Sequence, residues 1–168
     1  MKISTRTEYG IRVLVTLART DEDPCLSLAE IARREKLPHA YLEQLVGALR
    51  RAGLVTSTRG VTGGYRLARP AADIAMTDAV RALDGPLLEM PCAGAEDLEH
   101  CDRPQPCSVH EIFQRVYESL SASLGSTTLA EVAATPGGPP YPVEVRRRRA
   151  AAHASTTQTP PQQQARNA

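Results

Sequence analysis

Tryptophan is absent, phenylalanine occurs once, and aromatic residues make up only 4% of the chain. No run of about 18 apolar residues exists, which argues against a membrane-spanning helix. The opening MKISTRTEYG lacks the apolar centre of a secretion signal, so the expectation is a cytoplasmic protein with no membrane partner. An excess of one charge is also missing: 20 Lys and Arg against 19 Asp and Glu leave a formal net charge of +1. What is present, 168 residues of which 42% are hydrophobic, suffices for one domain of ordinary size with a tail.

The near balance of charge conceals segregation. Residues 1–90 carry 13 Lys and Arg against 11 Asp and Glu, residues 91–135 carry 2 against 7, and residues 136–168 carry 5 against 1. Four cysteines in a chain expected to stay in a reducing compartment point to thiol or metal chemistry rather than to two disulfides.

Along the first zone, Thr5-Arg6-Thr7-Glu8 predicts a capping box and a helix to about Arg19, burying Tyr9, Val13, Leu14 and Leu17. Ser27-Leu28-Ala29-Glu30 predicts a second, short helix that Leu37-Pro38 stops. From His39 to Ala52, Leu42, Leu45, Val46 and Leu49 recur at helical spacing, and Gly53 ends the run. The opposite face is small and polar: Ala40, Gln44, Gly47 and Arg51, with Glu43 at its flank. Two short helices around a tight turn, the second with a lean outer face, describe a helix-turn-helix.

Two β-prone runs follow, Leu54–Thr58 and Tyr65–Leu67, around the glycine-rich tip Arg59–Gly64. A hairpin placed there is a wing. Between Tyr41 and Arg69 five arginines face a single acid, so a net charge of +4 falls on the elements that would meet a polyanion. Arg59 at a hairpin tip suits the negative potential of a narrow minor groove, Gln44 suits an adenine edge, and Glu43 suits a cytosine amino group.

One more short helix is predicted over Ile74–Leu83, closed by Gly85-Pro86. The segment PCAGAEDLEHCDRPQPC at 91–107 then has almost no apolar side chains to hold it. Its cysteines read Cys92-x8-Cys101-x5-Cys107-x2-His110, three thiolates and an imidazole, and metal binding supplies the ordering free energy that packing does not. Zinc held as in a CCCH finger is the alternative group, within a winged-helix module for RNA or a protein partner. That finger has three residues before its histidine where this chain has two, and stacks bases on aromatics absent here.

Ser108-Val109-His110-Glu111 predicts a third capping box. Val109, Ile112, Phe113, Val116, Leu120 and Leu124 form an apolar stripe that needs a partner. Thr128-Leu129-Ala130-Glu131 caps a last helix, and the Pro-, Gly- and Gln-rich tail with Arg146–Arg149 reads as disordered and solubilising. The division is 1–85, a winged helix-turn-helix domain; 86–107, a cysteine loop; 108–135, a dimerisation helix and short closing helix; and 136–168, a tail. The fold class is mainly α with a small β-hairpin wing. Catalysis and a small-molecule substrate are not expected, because three thiolates and an imidazole leave a tetrahedral metal no open position. Moreover, Gly60–Gly64 lies between strands without a following Lys-Ser/Thr.

Tyr41-Leu42-Glu43-Gln44-Leu45, Ala52-Gly53-Leu54-Val55 and Arg59-Gly60 through Gly63-Gly64-Tyr65, taken together, resemble the Rrf family of bacterial winged-helix regulators, with IscR-, NsrR- and RirA-like members. The likeness runs over about residues 1–135. It implies a homodimer formed through Val109–Leu124, with a recognition helix from each subunit in the major groove of promoter DNA and a wing in the minor groove. Ala40, Tyr41, Glu43, Gln44, Arg51, Arg59 and Gly60 become the DNA-facing set. Cys92, Cys101 and Cys107 stand where members bind an iron-sulfur cluster. His110 stands where IscR-like members place a fourth ligand to a two-iron cluster, and Glu8 where NsrR-like members take a carboxylate from the partner subunit to a four-iron cluster. His110 with 2Fe-2S is preferred over Glu8 with 4Fe-4S. Cys25, far from the loop in sequence, is read as a structural or incidental thiol.

Overall fold

Ser4 rather than Thr5 starts the first helix. In the computed structural model, which describes residues 4–20, 25–60, 63–88 and 107–136, the Ser4 hydroxyl oxygen accepts the Thr7 N–H at 3.2 Å. The Ser4 N–H donates to Asp84 Oδ2 at 2.9 Å and the Ser4 hydroxyl to Asp84 Oδ1. A carboxylate from the far end of the domain thus does what the expected Glu8 would have done. With the cap one residue earlier, Glu8 is out of register for a capping box and is exposed.

The elements are α1 Thr5–Ala18, α2 Leu28–Glu35, α3 His39–Arg51, strands β1 Val55–Thr58 and β2 Gly64–Leu67, a 3-10 turn at Ala71–Asp73, α4 Met76–Asp84, α5 Ser108–Ser126 and α6 Leu129–Ala134. The fold is mainly helical with one antiparallel hairpin, paired from Val55↔Leu67 to Thr58↔Gly64. Ser27 caps α2 by accepting the Glu30 N–H at 3.2 Å. The Glu30 carboxylate turns to Arg33 and Arg34 instead of returning to the cap. The Thr128–Glu131 box forms in full: Thr128 N–H donates to Glu131 Oε2 at 2.7 Å, and Glu131 N–H to Thr128 Oγ1 at 3.2 Å.

Leu14, Ile31, Leu42, Leu45, Leu49, Leu54, Ile74 and Leu129 are fully buried, so α1 to α4, β1 and α6 share one core. Each such side chain contributes roughly 1.5–3 kcal/mol relative to exposure. α1 meets α4 closely at Gly10, where a Cβ would lie 2.3 Å from Leu83 Cδ1. α6 is pinned to this core by Leu129 N–H to Ile74 O at 2.8 Å and Met76 N–H to Thr127 O at 2.9 Å. Arg19 then donates to the carbonyls of Ala133 and Thr135 at 2.9 and 2.6 Å.

Of the described α-helices, α5 has no buried residue. Val109, Ile112 and Val116 are 51%, 54% and 42% exposed. Cys107, not Ser108, is its N-cap, with Glu111 N–H donating to Cys107 O at 3.1 Å. Residues 136–168 make a second unit, of which 137–168, including Arg146–Arg149, lie outside the described residues. No helix among the described residues is long and apolar enough to cross a membrane.

Candidate nucleic-acid interface and cysteine site

The turn between α2 and α3 is made by Lys36 in the left-handed region (φ 54°) followed by Leu37-Pro38. Leu37 N–H closes onto Ala32 O at 3.1 Å, and Pro38 O accepts from Tyr41 and Leu42 N–H at 3.1 and 3.0 Å. α3 buries Leu42, Leu45, Val46, Ala48 and Leu49. That leaves Ala40, Glu43, Gln44 and Arg51 exposed.

Tyr41 departs from that group. It is half-buried, its ring edge-on to Tyr9 with centroids 6.0 Å apart and planes at 85°. Tyr9 in turn lies 5.7 Å from the Arg12 guanidinium carbon, and Arg12 Nε donates to Glu35 Oε2 at 2.8 Å. The chain Glu35–Arg12–Tyr9–Tyr41 therefore sets α3 against α1 and α2, a packing duty that local sequence periodicity does not reveal.

The wing is anchored on both sides. Leu26 N–H donates to Tyr65 O at 2.9 Å and Tyr65 N–H to Leu26 O at 2.8 Å, adding a one-residue rung outside β2. This explains the paired glycines, since a Cβ on Gly64 would sit 2.5 Å from Leu26 O and one on Gly63 2.3 Å from Thr58 O. Arg59 and Gly60 (φ +127°) are exposed at the tip. Arg50, missed in the sequence reading, reaches across from α3 to donate to Ser57 Oγ at 3.4 Å. Its signal was only that it precedes Arg51. On α2, Arg33 and Arg34 are occupied by Glu30, whose pKa their hydrogen bonds, Arg33 first, lower to about 2.

Of the expected metal ligands, Cys92 and Cys101 lie outside the described residues. Cys107 and His110 are half-buried at the N-cap and third position of α5. Those are the N-cap and N3 positions of the helix, three residues apart. Cys107 and His110 are of the sulfur and nitrogen donor types that a thiolate-rich metal group takes. Among the described residues no three His, Cys, Asp or Glu side chains converge into a metal site. Glu8 is exposed and released from its expected cap. Cys25 sits beside the wing, its Sγ 3.9 Å from Thr58 Oγ1.

A helix-turn-helix followed by a tethered hairpin, together with a long helix whose first turns expose apolar side chains, defines a winged-helix protein. The Rrf2 family profile, described as an iron-dependent transcriptional regulator, matches residues 3–135. The protein rrf2 of Nitratidesulfovibrio vulgaris is 36% identical over 132 residues, 79% of this chain and 87% of that one. The HTH-type regulator CymR of Bacillus subtilis is 38% identical over 138 residues, covering 82% and 94%. The solved structure of B. subtilis CymR, titled a global cysteine regulator, superposes with a TM-score of 0.65 at 36% identity over 82% of this chain and 99% of that one. T. potens IscR superposes at 0.63 and 34% over 82% and 94%. The chain belongs to the Rrf2 family of transcriptional regulators.

Proposed function

We propose that this chain is a non-catalytic, cytoplasmic, homodimeric regulator that binds promoter DNA and senses the state of an iron-sulfur cluster held by Cys92, Cys101, Cys107 and His110. Ala40, Glu43, Gln44 and Arg51 enter the major groove, Arg59 and Gly60 the minor groove, and Tyr41 supports α3 from behind. The observation that carries the reading is the place of Cys107, at the head of the described helix that has no buried residue. Val109, Ile112 and Val116, on its first three turns, pair with the same stripe of a second copy.

When bound, a cluster would tie the 92–107 segment to α5, and its loss to nitric oxide, oxygen or iron shortage would release that tie. Within the chain, Cys107 would offer a sulfur ligand and His110 a ring nitrogen. The far end of α5 is fixed to the winged domain by the Thr127–Leu129 rungs onto Ile74 and Met76. A change of posture at Cys107 is thereby passed to α3 and the wing through a rigid element, and DNA affinity differs between cluster states.

The test is the visible spectrum and metal content of protein isolated without oxygen, beside His110→Ala and Glu8→Ala. Charge-transfer absorbance lost in His110→Ala alone supports the assignment, and loss in Glu8→Ala alone transfers the fourth ligand to the partner's carboxylate. Colourless protein with stoichiometric zinc would instead favour the zinc-stabilised module for RNA or a protein partner.

A further inference from the structure

The outer face of α3 holds one pairing that the base-reading assignment above does not use. His39 Nδ1 lies 3.5 Å from Glu43 Oε1, with side chains 56% and 60% exposed. The pair spans i,i+4, so both groups project from the N-terminal part of the recognition helix, the part that meets base edges in helix-turn-helix proteins. Arg33 and Arg34 pair with Glu30, and Arg12 with Glu35. Arg50 reaches to Ser57 on the wing.

We propose that His39 is a positioning residue for base selection by Glu43, an inference that rests on α3 being the groove-entering helix. A glutamate on an open helix face samples several rotamers, and ordering it is a cost charged to binding. A ring nitrogen held 3.5 Å from Oε1 restricts that sampling before DNA arrives, and if it carries its proton toward Oε1 it leaves Oε2 to accept from a cytosine amino group. An exposed side-chain contact of this kind adds little to folding stability. The effect therefore appears in sequence preference rather than in the melting temperature.

The decisive experiment selects duplexes from a randomised pool with the full-length wild-type protein. It then measures affinity for the selected duplex, for single base-pair substitutions of it, and for an unselected duplex, with wild type, His39→Ala, His39→Gln and Glu43→Ala. Glu43→Ala should erase the preference at one base pair in each half-site. His39→Ala should weaken that same preference by about three- to tenfold, with affinity for the unselected duplex unchanged. His39→Gln, which keeps a side-chain N–H, should recover much of it. Unchanged preference in His39→Ala overturns the inference, as does an equal loss on all duplexes, which would mark a phosphate contact. If wild type selects no duplex at all, the reading of α3 falls with it, whereas selection indifferent to His39 removes this inference alone.

Discussion

Asp84, the last residue of α4, accepts both the backbone N–H and the hydroxyl of Ser4, the N-cap of α1, across 80 positions of sequence. Partial burial by itself would raise this carboxyl. The Ser4 hydroxyl and N–H, then Thr7 and the nearby Arg6, outweigh it and hold the pKa below the ordinary value. A carboxylate whose folded pKa is depressed stabilises the fold above its unfolded pKa, and that contribution is lost as pH falls through the folded one. Asp84→Ala should cost about 1–2 kcal/mol at neutral pH, as loss of a helix cap does. The difference from wild type should shrink below about pH 4. Urea denaturation at both pH values measures it.

Gly64 is fixed by proximity to Leu26 rather than by its own φ. Because an added Cβ would meet Leu26 O at 2.5 Å, Gly64→Ala must push the two backbones apart and break the Leu26–Tyr65 rung. The expected cost is about 1–3 kcal/mol by overpacking. Hydrogen exchange should show the Tyr65 amide losing protection while Leu14 and Leu45 amides keep theirs.

Arg59 stands at the exposed wing tip. Arg59→Ala should weaken duplex binding and reduce the slope of log affinity against log salt by about 1 if the guanidinium displaces one counterion. An unchanged slope in a salt titration would remove Arg59 from the interface.

Ile112 is 54% exposed on a helix with no fully buried residue among the described ones. Ile112→Asp should therefore leave the cooperative melt of the winged domain nearly intact while converting dimer to monomer in sedimentation velocity. A variant that sediments as wild type would place the dimer contact elsewhere.

Much of this architecture is legible in the sequence because it is locally encoded. The stripe of Leu42, Leu45, Val46 and Leu49 with Gly53 behind it yields α3, the glycine-rich tip between β-prone runs yields the wing, and Thr128-x-x-Glu131 yields the last cap. The misreadings share a cause. Thr5-x-x-Glu8 is as good a local box as Thr128-x-x-Glu131, but Asp84 supplies a partner from 80 residues away, and the cap moves to Ser4. Ser108-x-x-Glu111 is displaced in the same direction, to Cys107, a residue that ranks poorly as a side-chain cap. Leu26 joins the wing through a single rung, too short to show alternation, and Tyr41 is claimed by Tyr9 on another helix. For the proposed metal site, the spacing of Cys92, Cys101 and Cys107 is plain in the chain, but whether those side chains converge depends on a segment with too few apolar residues for any pattern to fold it on paper.

The central claim, that the metal state of the cysteine segment governs DNA affinity, is tested most directly by one comparison. The same full-length preparation is titrated without oxygen against a duplex selected from a randomised pool, before and after chemical removal of its cluster. Cys92→Ser/Cys101→Ser/Cys107→Ser is titrated alongside. The account predicts that removal changes affinity by about fivefold or more and that the triple variant matches the stripped protein. Equal affinities for all three samples would contradict it.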